Sequence, residues 1–175
     1  VALCSGIKAI SYFTDLASRE DPEADAQAIR EGRTIPLLKI PQDPMSQMIG
    51  VEEWHVLNQS ANGLRMHRES GGNVSITVGE AVGVRFMGGR SWNVGVVRWL
   101  TLLEGNALEF GVELVAPAAV SITIEPTIGT SGKPAPALML FPLMPESESD
   151  TLLTAAETFA DLRECELNAN EDLLH

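Results

Sequence analysis

Between residues 51 and 124 the chain repeats one local pattern: a short apolar run, then a turn of Gly, Asn, Ser or Glu, then another run. The run 51–57 (VEEWHVL) leads into the turn-rich NQSANG, and 64–67 follows at once as its hairpin partner. Short apolar stretches at 74–77 and 81–87 are split by Gly79-Glu80, and GGRS makes the next turn. Residues 91–103, rich in Val and Trp, close through Glu104-Gly105-Asn106 onto 107–115, and 119–124 (AVSITI) alternates cleanly. Strands recurring at intervals of about 8–12 residues with Gly-containing turns predict an all-β chain rolled into a small barrel or sandwich.

The flanks are less regular. In residues 2–13 the alternation fits a strand, with Ile7, Ala9, Ser11 and Phe13 on one face and Lys8, Ile10 and Tyr12 on the other. Residues 15–33 are polar, broken by Pro22, with room for one short helix, and 34–50 hold Pro36, Pro41 and Pro44. Together 15–50 read as a long insert between the first and second strands. After a loop at 125–133, residues 137–143 fit one more strand. In the last thirty residues Leu152, Ala156, Phe159, Leu162 and Cys165 approximate helical spacing, yet the same segment also parses as short strands around turns. The expected organisation is a barrel domain at 1–125 and an acidic extension at 126–175, which either finishes that domain or starts a second small β unit.

Composition narrows the function. With 45% hydrophobic and 21% charged residues the chain reads as globular. Its 12 Lys+Arg against 24 Asp+Glu give a net charge of −12, which repels polyanions and argues against DNA or RNA as partner. No run of about 18 apolar residues exists to span a membrane, and no signal-peptide pattern is visible, so a cytoplasmic location is expected. Cys4 and Cys165 stand far apart, without CxxC or metal spacing, and read as two free thiols. His55, His67 and His175 form no ligand or catalytic pattern; with no GxSxG, Walker loop or GxGxxG present, an enzyme, a resident metal or a cofactor is not expected.

The charge is uneven. Residues 58–100 carry five arginines (Arg65, Arg68, Arg85, Arg90, Arg98), no lysine, and two acids, a net +3, while the remainder has 7 basic and 22 acidic residues, or −15. An island built only from arginine suits a compact anionic ligand, since the guanidinium fork matches phosphates and guanine edges. The alternative is five separate strand residues facing solvent. From Glu146 onward there are nine acids and only Arg163, either a solvated face or a surface for a protein partner.

The turn Asn58-Gln59-Ser60-Ala61-Asn62-Gly63 pairs short polar side chains with a glycine that either adopts positive φ or allows a close backbone approach. Its pattern, [D/N]xSxxG between two strands, resembles the second signature of the PilZ domain, a bacterial receptor module for cyclic di-GMP. The resemblance continues through WxVxNxSxxGLR (Trp54, Val56, Asn58, Ser60, Gly63, Leu64, Arg65), VGEAVGVRF from Val78, WNVGVVRW from Trp92 and FGVEL from Phe110, in order and in register over 51–120. The opening LCSGIKAISYF is similar to the first barrel strand of a proteobacterial subgroup with a long insert after that strand.

What the resemblance implies is a PilZ-like six-stranded antiparallel β-barrel and a non-catalytic signalling module. It binds cyclic di-GMP and passes the signal to a protein partner. Asn58 and Ser60 would face the guanine and ribose-phosphate, Gly63 would let backbone approach, and Arg65, on the same strand face as Gly63, would meet a phosphate or stack. Arg98 is either a second contact or a face residue covering apolar surface with its stem. Trp54, Trp92 and Trp99 either stack on a base or fill the core. One element departs from the family pattern: RxxxR, whose arginines clamp the ligand, does not occur, Arg30 and Arg33 being three apart. It falls upstream of Val1 or is absent. Losing two such arginines costs about 3–6 kcal/mol, roughly a hundred- to ten-thousandfold in affinity. A PilZ-like adaptor that binds protein and no nucleotide is therefore the alternative. A flavin-binding split barrel rests on fold analogy alone.

Overall fold

The computed structural model describes residues 1–18, 30–31, 48–69, 75–127, 133–141, 151–158 and 164–169. Eleven strands and one main helix occur among them: β1 (Ala2–Ser5), α1 (Ile7–Ser18), β2 (Glu52–Glu53), β3 (His55–Gln59), β4 (Gly63–Arg68), β5 (Ala81–Arg85), β6 (Asn93–Leu102), β7 (Leu108–Ala116), β8 (Ala119–Pro126), β9 (Ala135–Leu140), β10 (Thr151–Leu153) and β11 (Cys165–Ala169). Much of the 15–50 insert lies outside the described residues.

The first sheet has the order β2-β1-β5-β6-β7-β4-β3 with antiparallel neighbours. Its two outermost strands, β2 and β3, are separated in sequence by Trp54 alone. Chain connectivity therefore brings the two edges together, and the sheet rolls into a nearly closed barrel. They are two halves of the single run read at 51–57, so six sequence segments supply seven strands. Trp54 turns inward, 2% exposed, edge-on to Phe110 at 4.7 Å between ring centroids. Leu3, Leu64, Met66, Val82, Val84, Val97 and Val112 complete this core. Across the seam the Arg68 guanidinium lies 4.4 Å from the Trp54 ring centroid and its Nη1 donates to Glu52.

The second sheet, β10-β9-β8-β11, is also antiparallel. The expected boundary at 125/126 falls at the end of β8, whose strand partners, β9 and β11, both belong to this sheet. Among the described residues of the tail, open between helix and strand from its sequence, Thr151–Leu153 and Cys165–Ala169 form β10 and β11, with a 3-10 turn at Ala156–Thr158.

The 2–13 segment departs from its reading as one strand. β1 stops at Ser5 because Gly6 takes φ +85°, and α1 begins one residue later with Ile10 N–H donating to Gly6 O at 3.1 Å. Over 7–13 the two periods are nearly indistinguishable. The helical one carries on, placing Ala9, Ile10 and Phe13 with Leu16 and Ala17 against Trp92, Ala119 and Leu138 in a second core between the sheets. Ser11 and Ser121 share a buried hydrogen bond within it. Cys4 is buried there as well, which pushes its thiol up to about 12 and keeps it protonated at neutral pH, whereas Cys165 is exposed. Of the expected strand at 74–77, Val74 lies outside the described residues and 75–77 form a turn approach instead, Thr77 O accepting from Glu80 N–H at 3.2 Å. No helix among the described residues is long and apolar enough to cross a membrane.

Candidate functional site

Strict alternation along β6 would leave only one of two consecutive residues facing out. The β6/β7 register slips between Val97↔Val112 and Trp99↔Gly111, leaving Arg98 as the extra residue of a β-bulge. Arg98 and Trp99 consequently both reach the outer face, Trp99 41% exposed. A second slip in β3/β4, between Val56↔Met66 and Asn58↔Arg65, does the same around Leu57 and Asn58. On β7 the residues Glu109, Gly111 and Glu113 share one face by the two-residue period. Gly111 is the gap in that row: a Cβ there would lie 2.0 Å from Trp99 Nε1, so the indole lies directly over the β7 backbone.

The β3–β4 turn forms the adjacent wall. Ser60 N–H donates to Gly63 O at 2.8 Å, the Ser60 hydroxyl donates to the same oxygen at 3.4 Å, and Leu114 N–H donates to Asn62 O at 2.8 Å, which ties the turn to β7. Gly63 does not use positive φ. Space is what it supplies, since a Cβ would come 3.0 Å from Ser60 Oγ.

Between turn and sheet lies an open concavity of about 480 Å³, lined by Asn58, Gln59, Ser60, Asn62, Gly63, Leu64, Arg65, Arg98, Trp99, Gly111, Val112 and Glu113. The structure places all of Asn58, Ser60, Gly63, Arg65 and Arg98 on it. It separates the other arginines of the basic window: Arg68 seals the barrel, Arg85 is buried with Nε donating to Gly89 O at 2.8 Å, and Arg90 borders a different cleft beside α1. The tryptophans divide too, Trp54 and Trp92 into cores and Trp99 onto this surface.

Both arginines of the concavity are already paired. Arg65 donates through Nε and Nη2 to Glu109 Oε2, at 3.0 and 2.5 Å, and Arg98 Nε donates to Glu113 Oε2 at 2.6 Å. Their side chains are 54% and 55% exposed, so each pair contributes only about 0.2–1 kcal/mol. The basic window gave no hint of this, because both carboxylates lie beyond residue 100. The signal was nevertheless present in LEFGVEL, whose alternation sets Glu109 and Glu113 on the face of Gly111.

Gly111→Ala is expected to expel the indole from β7. The tryptophan emission, read as the difference between proteins with Trp99 and with Trp99→Phe, should shift to the red, with a stability loss of about 1–3 kcal/mol from overpacking. Unchanged emission would mean that the ring does not rest on Gly111.

A family model described as "Cyclic-di-GMP receptor FimW, middle PilZ domain" matches residues 23–120, a span that includes the NxSxxG turn and strands β2–β7. The chain belongs to the PilZ family. It is also similar to the Cyclic-di-GMP receptor FimW of Pseudomonas aeruginosa, at 25% identity over 162 residues. That similarity covers 68% of this chain and 27% of the relative, so the match spans about a quarter of the larger protein. No solved structure matches the chain. Within the PilZ match lie all the residues of the concavity, while β9, β10 and β11 fall outside it.

Proposed function

We propose that this chain is a non-catalytic, cytoplasmic signalling module that binds cyclic di-GMP in the β4–β7–β6 concavity and relays occupancy to a protein partner. One observation carries the reading: in a PilZ chain, the NxSxxG turn, two arginines and an exposed indole border the same open concavity. The name of the FimW relative supports the ligand. Arg65 and Arg98 supply donors for phosphate oxygens, and Trp99 offers a ring face to a guanine. Asn58 and Ser60 supply polar contacts, and Gly63 leaves room for the ligand beside the turn. The nine acids from Glu146 onward supply the charge offered to the partner.

A second reading, an adaptor that binds protein without nucleotide, is favoured by the existing Arg–Glu pairs, which already engage both guanidinium groups of the concavity. Calorimetric titration of cyclic di-GMP into the chain, with GTP as control, separates the two. Saturable binding with Kd on the order of micromolar, corresponding to roughly −8 kcal/mol, is expected for the receptor. Absence of heat with both nucleotides, repeated on a chain extended upstream of Val1, would favour the adaptor.

A further inference from the structure

The two carboxylates that pair with the arginines occupy different positions. Glu109 is not part of the concavity's lining; it is 12% exposed and accepts from Arg65 Nε and Nη2 outside that lining. Glu113 does line the concavity, is 49% exposed, and meets Arg98 through Nε alone. The Arg98 bulge aims the guanidinium diagonally at Glu113, whose own Cα partner across the strands is Val96.

We infer that Glu113 is a built-in competitor for the ligand: its carboxylate holds Arg98 Nε where a phosphate oxygen must sit. Anion binding requires that carboxylate to be displaced. The inference rests on the proposed cyclic di-GMP site and specifies how that site is restrained. The physical basis is an exchange of one charge-assisted hydrogen bond for another. A ligand gains from Arg98 only the difference between its own bond and the one Glu113 already makes. It also meets the repulsion of a carboxylate at short range, where screening over about 8 Å is incomplete. Glu109 differs in sign, because it orients Arg65 without standing in the ligand's place. The competitor thus sets a threshold: the site fills only when ligand concentration overcomes an internal anion, and any contact that draws Glu113 away sensitises it.

The test titrates cyclic di-GMP, and separately inorganic pyrophosphate, into the wild-type chain, Glu113→Gln and Glu109→Gln at equal ionic strength. Calorimetry reads affinity, and the Arg98 Nε–H resonance reads occupancy of its donor. Glu113→Gln is expected to bind cyclic di-GMP about three- to tenfold more tightly than wild type, while Glu109→Gln shows no gain. Equal or weaker binding by Glu113→Gln overturns the inference. So does an equal gain in Glu109→Gln, which would reflect net charge alone. If no variant binds cyclic di-GMP but Glu113→Gln gains affinity for pyrophosphate with a shift of the Arg98 Nε–H signal, the competitor stands and the cyclic di-GMP reading falls. If Glu113→Gln gains with neither probe, the competitor falls.

Discussion

Trp54→Ala is expected to lower the unfolding free energy by about 3–5 kcal/mol, the range for removing a fully buried large aromatic side chain. Trp54 lies where β2 passes into β3, at the seam where the barrel closes, and packs edge-on against Phe110. Its loss also strips Arg68 of the ring beneath its guanidinium, a contact that adds about 0.5–2 kcal/mol. Arg68 Nε is buried without a hydrogen-bond partner, so this cation depends on the ring and on Glu52. The same variant should speed amide exchange in β3 and β4 ahead of the second sheet. Trp54→Phe should cost much less, because the indole N–H is buried without a partner and contributes no hydrogen bond. Trp99→Ala is the surface comparison, expected to cost under about 1 kcal/mol. Urea unfolding decides: equal midpoints for Trp54→Ala and Trp99→Ala would show that the seam does not hold the barrel.

The sequence disclosed the barrel and one wall of the site but not the electrostatics between its strands. Short apolar runs and Gly-containing turns sufficed for β3 through β8, although strict alternation fails at the bulges of β3 and β6 and in β5, which is buried along nearly its whole length. Where a run is too short to separate two periods, as at 7–13, local pattern cannot tell strand from helix. The decision came from Gly6 and from what Leu16 and Ala17 pack against. The five residues singled out for ligand binding were found by resemblance, and geometry gathers them on one concavity. Glu109 and Glu113 went unnoticed because the charge window ended at residue 100, whereas β7 crosses back between the arginines. A net charge summed along the chain says little about charges brought together by strand pairing. The Arg98 bulge was equally hidden: a register slip depends on the partner strand and leaves no mark in the bulged strand itself.

Loss of both arginines is the decisive test of the site. A charge-assisted hydrogen bond contributes about 1.5–3 kcal/mol, but each arginine is already partly satisfied: Arg98 must give up its Glu113 pair, and Arg65 comes with Nε and Nη2 committed to Glu109, either effect offsetting about 0.2–1 kcal/mol. The surplus is about 1–2 kcal/mol per arginine, or roughly five- to thirtyfold in Kd. Arg65→Ala and Arg98→Ala should each weaken cyclic di-GMP binding by that factor, and the double variant by about thirty- to a thousandfold if the two act independently. The two singles should not be equal. Removing Arg98 leaves Glu113 unpaired inside the concavity, facing the ligand's phosphates, whereas removing Arg65 leaves Glu109 outside its lining. Arg98→Ala is therefore the more damaging change, and adding Glu113→Gln to it should recover part of the loss. Arg65→Lys and Arg98→Lys keep the charge and lose the planar fork, so they should retain salt-sensitive but weaker binding. Folding stability should move by no more than about 1 kcal/mol in each single variant, since both side chains are more than half exposed. If the double variant binds cyclic di-GMP as wild type does, the ligand lies elsewhere on the barrel. If it binds nothing while a protein partner is still captured at wild-type strength, nucleotide and partner occupy separate surfaces, which places the relay beyond this face of β4, β6 and β7.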